Sequence, residues 1–146
     1  MTGNDDEFEL SVGHDYPAGP ERIFDGFVGM YEQPRPEWIE HSEMDLRIGG
    51  TWDVTFHPPG IDPFREHRVI TELDRPRRLA YTATVQGNGA PFDTRVGITL
   101  ATGGDTTRLT LTQAGFPTAA DRDDFATAWP DVLAFLADRI SAIGRA

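Results

Sequence analysis

A single long amphipathic pattern at the C-terminal end of the chain constrains the fold most, because strand patterns dominate the rest. Apolar residues recur there every three or four positions over about five turns, which indicates a helix with one buried face. These residues are Phe125, Trp129, Leu133, Leu136, Ile140 and Ile143. Thr118, with Asp121 three residues later, resembles a capping box and predicts where the helix begins. Pro130 lies inside the pattern and predicts a kink or a break just before it.

The segment before this helix alternates apolar and polar residues in short runs, which is typical of antiparallel strands joined by turns. The first strand is expected at residues 7–16, and an amphipathic helix follows from Pro20 to about Glu32. Glu37 to Ile39 suggest another helical turn. The later strands are predicted around Met44–Ile48, Trp52–Phe56, Arg65–Leu73, Leu79–Val85, Phe92–Thr102 and Arg108–Gln113. Asn88 and Gly89 favour a tight hairpin turn.

This order of elements predicts an α+β domain in which a curved antiparallel sheet wraps the long C-terminal helix. Right-handed twist curls a meander of about six or seven strands, and the final helix is the long apolar element available to cover the concave face. Because a curved sheet and a straight helix fit imperfectly, the gap between them is a natural small-molecule site. Residues 1–6 are expected to be a flexible leader, and residues 7–146 the single domain.

Composition excludes several classes of function. The formal net charge is −11, which disfavours binding to nucleic acid or to an anionic membrane. All 13 basic residues are arginine, so Schiff-base chemistry and a P-loop lysine are excluded. The chain has no cysteine, and its acidic N-terminus lacks the apolar run of a signal peptide. We therefore expect a cytoplasmic protein with no nucleic-acid partner and no membrane partner.

A set of motifs in a fixed order resembles the AHSA1-like family, named for the activator of Hsp90 ATPase, of the START/Bet v 1-like superfamily, also called SRPBCC. The matching segments are Pro20–Asp25, Trp38 with Asp45–Trp52, Glu72–Thr82, Gly104–Leu111, Gly115–Phe116 and Ala128–Leu133. The resemblance covers essentially the whole chain past residue 6. It implies a helix-grip fold, in which the sheet grips the C-terminal helix over an apolar pocket. The family has no shared catalytic residues, so the resemblance implies no active site.

The candidate site is the set of side chains expected to line this cavity. They are Trp38, His41, Trp52, Val54, Phe56, His67, Tyr81, Phe92, Gln113, Phe116, Phe125, Trp129 and Leu133. Gln113 has the same strand parity as Leu109 and Leu111, so it is expected to point inward. An inward Gln113, the Tyr81 hydroxyl or His67 would orient a polar ligand head, since buried polar atoms need partners.

The histidines are candidates for catalytic groups and for metal ligands. His41 is expected near the mouth of the pocket and His57 at its rim, where a neutral imidazole could act as a general acid or base. The chain contains neither an HxxxH nor an HxH spacing, so we expect no metal. No cofactor motif is present, so we also expect no cofactor.

Three functions remain open at this point. The first is binding of a small hydrophobic or aromatic molecule. The second is an enzyme of the cyclase, aromatase or dehydratase type acting on a polyketide-like substrate, which needs at least two ionisable groups converging in the cavity. The third is a chaperone-type interaction module, which needs a contiguous exposed apolar patch. A monomer and a homodimer both fit the sequence.

Overall fold

Seven strands and two helices make up the part of the chain that the structure, a computed structural model, describes: residues 8–32, 36–60, 62–87 and 89–144. The elements are β1 (Phe8–Tyr16), α1 (Pro20–Gly29), β2 (Ile39–Met44), β3 (Thr51–Phe56), β4 (Phe64–Asp74), β5 (Arg78–Gln86), β6 (Phe92–Gly103), β7 (Thr106–Phe116) and α2 (Ala119–Gly144). The leader expected at residues 1–6 and the turn residue Asn88 lie outside the described residues.

The strands form one antiparallel sheet in the order β1-β7-β6-β5-β4-β3-β2. Consecutive strands from β2 to β7 are neighbours, as short connections require, and β1 closes onto β7. The buried side chains of α2 recur at helical spacing and pack on the inner face of this sheet; they are Trp129, Leu133, Leu136 and Ile140. The α+β prediction of a curved antiparallel sheet around a long C-terminal helix is therefore confirmed.

The start of α2 follows the capping prediction, and the helix continues past Pro130. The Thr118 hydroxyl accepts a hydrogen bond from the backbone N–H of Asp121 at 3.1 Å and donates to the carboxylate of Asp121 at 2.9 Å. Of the kink or break expected before Pro130, the break does not occur, because one helix runs from Ala119 to Gly144. Pro130 lies at an exposed position of this helix, where water can compensate for the hydrogen bond that proline cannot donate.

The second strand lies earlier in the chain than its alternation predicts. Residues 37 and 38 form a turn, as expected, closed by a hydrogen bond of 3.0 Å from the Ile39 N–H to the Pro36 carbonyl. The strand expected through Met44, Leu46 and Ile48 is instead β2, which begins at Ile39 and ends at Met44. Leu46 and Ile48 are 43% and 62% exposed in the following turn. Backbone hydrogen bonds close this turn, including one of 2.8 Å from the Asp45 N–H to the Thr51 carbonyl, and Gly49 adopts a φ of 83°. The turn geometry therefore overrides the apolar alternation.

The C-terminal half of α2 is fixed by direct contacts to β1 and α1. The Tyr16 hydroxyl donates to the carbonyl of Leu133 at 3.0 Å, and Arg22 Nη2 donates to the carbonyl of Ile140 at 3.0 Å. Gly26 of α1 lies so close to α2 that an added Cβ would be 3.1 Å from Leu136 Cδ1. The N-terminal half of the same helix, in contrast, faces a cavity.

Candidate functional site

The cavity has a volume of about 420 Å³ and lies between the N-terminal half of α2, strands β3 and β4, and the loop that joins them. Its wall is formed by Tyr31, Trp38, Phe56, Pro58, Pro59, Phe64, Glu66, Arg68, Asp124, Phe125, Thr127, Ala128, Trp129, Asp131 and Val132. The volume is within the roughly 300–1,000 Å³ of small-molecule pockets. The buried residues of this list form its floor, and the exposed residues of α2 form its mouth.

Aromatic rings cover much of the wall. Trp38 stacks on Phe56 with ring centroids 6.3 Å apart and planes at 17°. Phe56 in turn stacks on Phe64 at 5.1 Å, and Phe64 meets Phe125 edge-on at 6.1 Å. Offset and edge-on contacts are the preferred arrangements of aromatic pairs. The wall therefore offers a continuous apolar surface of ring faces and edges.

A buried ion pair lies on the floor of the cavity. Glu66 and Arg68 have side chains that are only 5% and 1% exposed. Both Nε and Nη2 of Arg68 lie 2.8 Å from the same oxygen, Oε1 of Glu66. The two charges neutralise each other, which a buried charge requires.

Four aromatic rings surround the guanidinium. Its Cζ lies 4.3 Å from the centroid of Trp52, 4.6 Å from Tyr81, 5.1 Å from Tyr31 and 5.6 Å from Phe56, all within cation–π distance. Burial lowers the pKa of Arg68, whereas Tyr81, Glu66 and Tyr31 raise it, and the net shift is upward. Arg68 is therefore a permanently charged group held in a rigid aromatic cage.

Three polar atoms in this cage have no hydrogen-bond partner among the described residues. They are Nη1 of Arg68, Nε1 of Trp52 and the hydroxyl of Tyr81. Burial raises the pKa of Tyr81, so its hydroxyl stays protonated at neutral pH. Buried polar atoms are nearly always paired, and unpaired ones call for an explanation such as a functional role.

Ten of the thirteen predicted lining residues fall into three groups. Four lie in the wall of the cavity: Trp38, Phe56, Phe125 and Trp129. Two do not line the cavity but contact the guanidinium of Arg68: Trp52 and Tyr81. Four belong to the hydrophobic core or pack against it without forming the wall: Val54, Phe92, Phe116 and Leu133. Phe116 backs the wall, because its ring centroid is 5.3 Å from that of Phe125.

Gln113 points inward, as its parity predicts, but both ends of its amide are engaged. Its Oε1 accepts from Nε1 of Trp129 at 2.9 Å, and its Nε2 donates to Oγ1 of Thr94 at 3.0 Å. The Thr94 hydroxyl donates onward to the carbonyl of Ala83 at 3.1 Å. Gln113 therefore fastens α2 to the sheet and does not form part of the cavity wall.

The histidines expected at the cavity lie outside it. His67 is 48% exposed and pairs with Asp53, with Nδ1 2.6 Å from Oδ1. The side chain of His41 is 56% exposed, and its Nε2 lies 3.1 Å from Oε1 of Glu43. Both contribute to a separate polar hollow of about 400 Å³ on the outer face of the sheet. The side chain of His57 is 52% exposed, and its Nδ1 lies 3.1 Å from Oε1 of Glu40. Within the described ranges, no cluster of three or more histidine, cysteine or acidic residues could hold a metal ion.

The strand parity of β4 explains both the misplaced histidine and the missed arginine. Phe64 and Ile70 share one parity and face inward, so Glu66 and Arg68 between them face inward as well, and His67 faces out. Leu73 has the same parity as Val69, so the apolar residues of β4 divide equally between its two faces. Tyr31 and Phe64 were also absent from the predicted lining. The alternation of β4 by itself therefore does not identify Glu66 and Arg68 as inward-facing residues.

A seven-stranded curved antiparallel sheet wrapped around a C-terminal helix, with a cavity between them, places this protein among the helix-grip proteins. Residues 17–141 match the family model described as "Activator of Hsp90 ATPase homolog 1-like protein". Since this match spans most of the chain, the protein belongs to the AHSA1 family.

Solved structures support the fold. Protein Mll3558 from Rhizobium loti superposes with a TM-score of 0.76 at 20% identity, covering 91% of this chain and 96% of the other. Protein CV1439 from Chromobacterium violaceum superposes with a TM-score of 0.76 at 24% sequence identity, and the match covers 90% of this chain and 96% of the other. The AHSA1 protein SPO3351 from Silicibacter pomeroyi superposes with a TM-score of 0.73 at 16% sequence identity, and the match covers 92% of this chain and 99% of the other. No curated protein matches the chain closely enough to count as a relative.

A bilayer-spanning helix, one both long and apolar enough to cross a membrane, is not found among the described residues.

Proposed function

We propose that this protein binds a small hydrophobic or aromatic molecule in the cavity between α2 and strands β3 and β4. The aromatic wall formed by Trp38, Phe56, Phe64 and Phe125 carries this proposal. Binding sites for small molecules are typically concave and mostly apolar, with a few placed polar groups. The cavity has both, since Glu66 and Arg68 are the buried charged residues of its wall.

The enzyme alternative requires a group that is free to move a proton. Glu66 and Arg68 do converge in the cavity, but they are bound to each other through two N–H donors at 2.8 Å. The hydroxyl of Tyr81 has a raised pKa because it is buried, so it is not a base at neutral pH. The other charged residues of the wall, Asp124 and Asp131, are exposed residues of α2 at its mouth, so the arrangement favours binding without chemistry.

The interaction alternative requires a contiguous exposed apolar surface. Among the described residues, the exposed large hydrophobic side chains are Leu46 and Ile48, which share one turn. Two side chains cover far less than the few hundred Å² typical of an interaction patch. Binding in the cavity is therefore the better supported function.

Titration with the uncharged fluorophore N-phenyl-1-naphthylamine tests the proposal. We expect saturable enhancement of its fluorescence, competed by other neutral aromatic compounds. Ala128→Trp should weaken this binding at least about tenfold, because Ala128 lines the cavity and a larger side chain occupies it. Ala134→Trp, at an exposed position of α2 outside the cavity wall, is the matched control and should leave binding unchanged.

Equal binding by the wild type and the Ala128→Trp variant would place the fluorophore elsewhere and count against the proposal. Native mass spectrometry of the freshly purified protein gives an independent readout. An adduct that is present in the wild type and lost in the Ala128→Trp variant supports the proposal.

A further inference from the structure

We infer that the ligand carries an uncharged hydrogen-bond acceptor, a carbonyl or hydroxyl oxygen, at one end of an apolar aromatic body, and that Arg68 binds this oxygen. The inference deepens the proposed function and rests on it, since it names the chemical class of the molecule in the cavity. It also excludes a fatty acid or another carboxylate as the preferred ligand.

The acceptor follows from the hydrogen bonds of Arg68. A guanidinium has five N–H donors, and Nε and Nη2 of Arg68 are directed to Glu66. Nη1 is without a partner among the described residues, although the side chain is 1% exposed and belongs to the cavity wall. Nη1 itself has almost no surface open to solvent, so a ligand oxygen at the floor of the cavity reaches it after a small shift of the surrounding side chains and then accepts a charge-assisted hydrogen bond.

The position of this donor is set by its surroundings. On β4, Arg68 lies directly opposite Trp52 on β3 and the small residue Ala83 on β5. The rings of Trp52 and Tyr81 contact the guanidinium, with centroids 4.3 and 4.6 Å from its Cζ. Because these contacts hold the donor before a ligand arrives, little conformational entropy is lost on binding.

The absence of charge on the ligand follows from the balance of charges around the cavity. The positive charge of Arg68 is already neutralised by Glu66. The other charged residues of the wall are Asp124 and Asp131, both carboxylates at the mouth, and the whole chain has a net charge of −11. A ligand carboxylate would lose its hydration with no free counter-charge, and it would pass two negative groups on the way.

Three naphthalene probes of nearly equal shape separate these possibilities by isothermal titration at pH 7.5. They are naphthalene, 2-acetylnaphthalene and 2-naphthoate, which carry no head group, a ketone and a carboxylate. In the wild type we expect the ketone to bind at least about tenfold more tightly than naphthalene, which is typical of one hydrogen bond to a charged donor. We expect 2-naphthoate to bind more weakly than the ketone.

Two variants examine the floor directly. Glu66→Gln leaves Arg68 with an uncompensated charge, so the affinity of 2-naphthoate relative to the ketone should rise at least about tenfold. Arg68→Met should abolish the advantage of the ketone over naphthalene. Because Arg68→Met leaves Glu66 unpaired and can impair folding, Glu66→Gln keeps the inference testable by itself. Arg108→Met, which removes an arginine paired with Asp15 on the outer face, should change none of the three affinities.

The outcomes distinguish this inference from the proposed function. If naphthalene and the ketone bind equally well to the wild type, the acceptor inference is overturned while binding in the cavity stands. If 2-naphthoate binds best to the wild type, the inference about charge is overturned. If no probe binds at all, the proposed function itself fails and the inference falls with it.

Discussion

Replacement of Arg68 by methionine is the most informative perturbation of stability. Methionine keeps an unbranched chain among the rings of Tyr31, Trp52 and Tyr81, but it leaves the Glu66 carboxylate, only 5% exposed, without its partner. Breaking a buried ion pair from one side typically costs about 3–5 kcal/mol. The lost cation–π contacts add to this cost, and sulfur–aromatic contacts of about 0.3–1.5 kcal/mol offset part of it. We therefore expect Arg68→Met to lower the free energy of unfolding by about 3–5 kcal/mol.

Such a loss is large against a total stability of about 5–15 kcal/mol, so it is easy to measure. In urea denaturation followed by tryptophan fluorescence, the midpoint should fall while the slope of the free energy against urea stays the same. In a thermal scan the same loss corresponds to a decrease in Tm of roughly 6–20 °C. Arg108→Met, which breaks an exposed pair with Asp15, is the matched control and should cost less than about 1 kcal/mol.

The two partners of the pair should not be equivalent. Glu66→Gln should cost about 1–2 kcal/mol, because Arg68 keeps four aromatic rings and an amide oxygen as an acceptor. The double variant Arg68→Met with Glu66→Leu should recover most of the stability lost in Arg68→Met, since no buried charge remains. A double variant less stable than Arg68→Met, or a loss below about 1 kcal/mol in Arg68→Met, would refute this account of the ion pair.

Two further predictions concern other parts of the fold. Gln113→Leu should lower the free energy of unfolding by about 1–3 kcal/mol, because the buried indole N–H of Trp129 loses its acceptor. In a double-mutant cycle, adding Trp129→Phe should cancel part of this loss, because no indole N–H then remains unpaired. The bidentate hydrogen bonds from Arg75 lower the pKa of Asp25. This contact therefore stabilises the fold fully above the usual aspartate pKa of about 4, and its contribution is lost as the pH falls from there through the lowered pKa. Asp25→Asn should therefore lower Tm slightly at pH 7 and by less at pH 2, and an equal effect at both pH values would contradict the assignment.

Periodicity was sufficient to predict those elements whose inner and outer faces differ clearly. In α2 the apolar residues recur at helical spacing and Thr118 caps the first turn, so the sequence predicts both the element and its start. In β7 the parity of Leu109 and Leu111 correctly predicts that Gln113 points inward. The sequence could not show that the amide of Gln113 is engaged by Trp129 and Thr94, because those contacts join three separate elements.

The floor of the cavity was harder to predict, because its inward face carries charged residues. Strand β4 alternates Glu66, Arg68 and Ile70 with Arg65 and His67, so polarity alone does not distinguish its two faces. The aromatic residues that make the inward face tolerable for Arg68 come from three other elements. The inward face of β4 can therefore be identified only once the pairing of β4 with β3 and β5 is known.

Stability alone does not account for the Glu66–Arg68 pair. Hydrophobic residues of similar volume are often as stable as a buried ion pair or more so, and this pair leaves three nearby polar atoms unpaired among the described residues. A chain selected only to fold would fill the floor with apolar side chains, as it does in the core that contains Leu109, Leu111 and Phe116. A ligand oxygen on Arg68 supplies the missing partner for Nη1 and so gives the pair a function. The double variant Arg68→Met with Glu66→Leu therefore separates the two roles: it should retain a stable fold and a cavity that binds naphthalene, and it should lose the preference for 2-acetylnaphthalene.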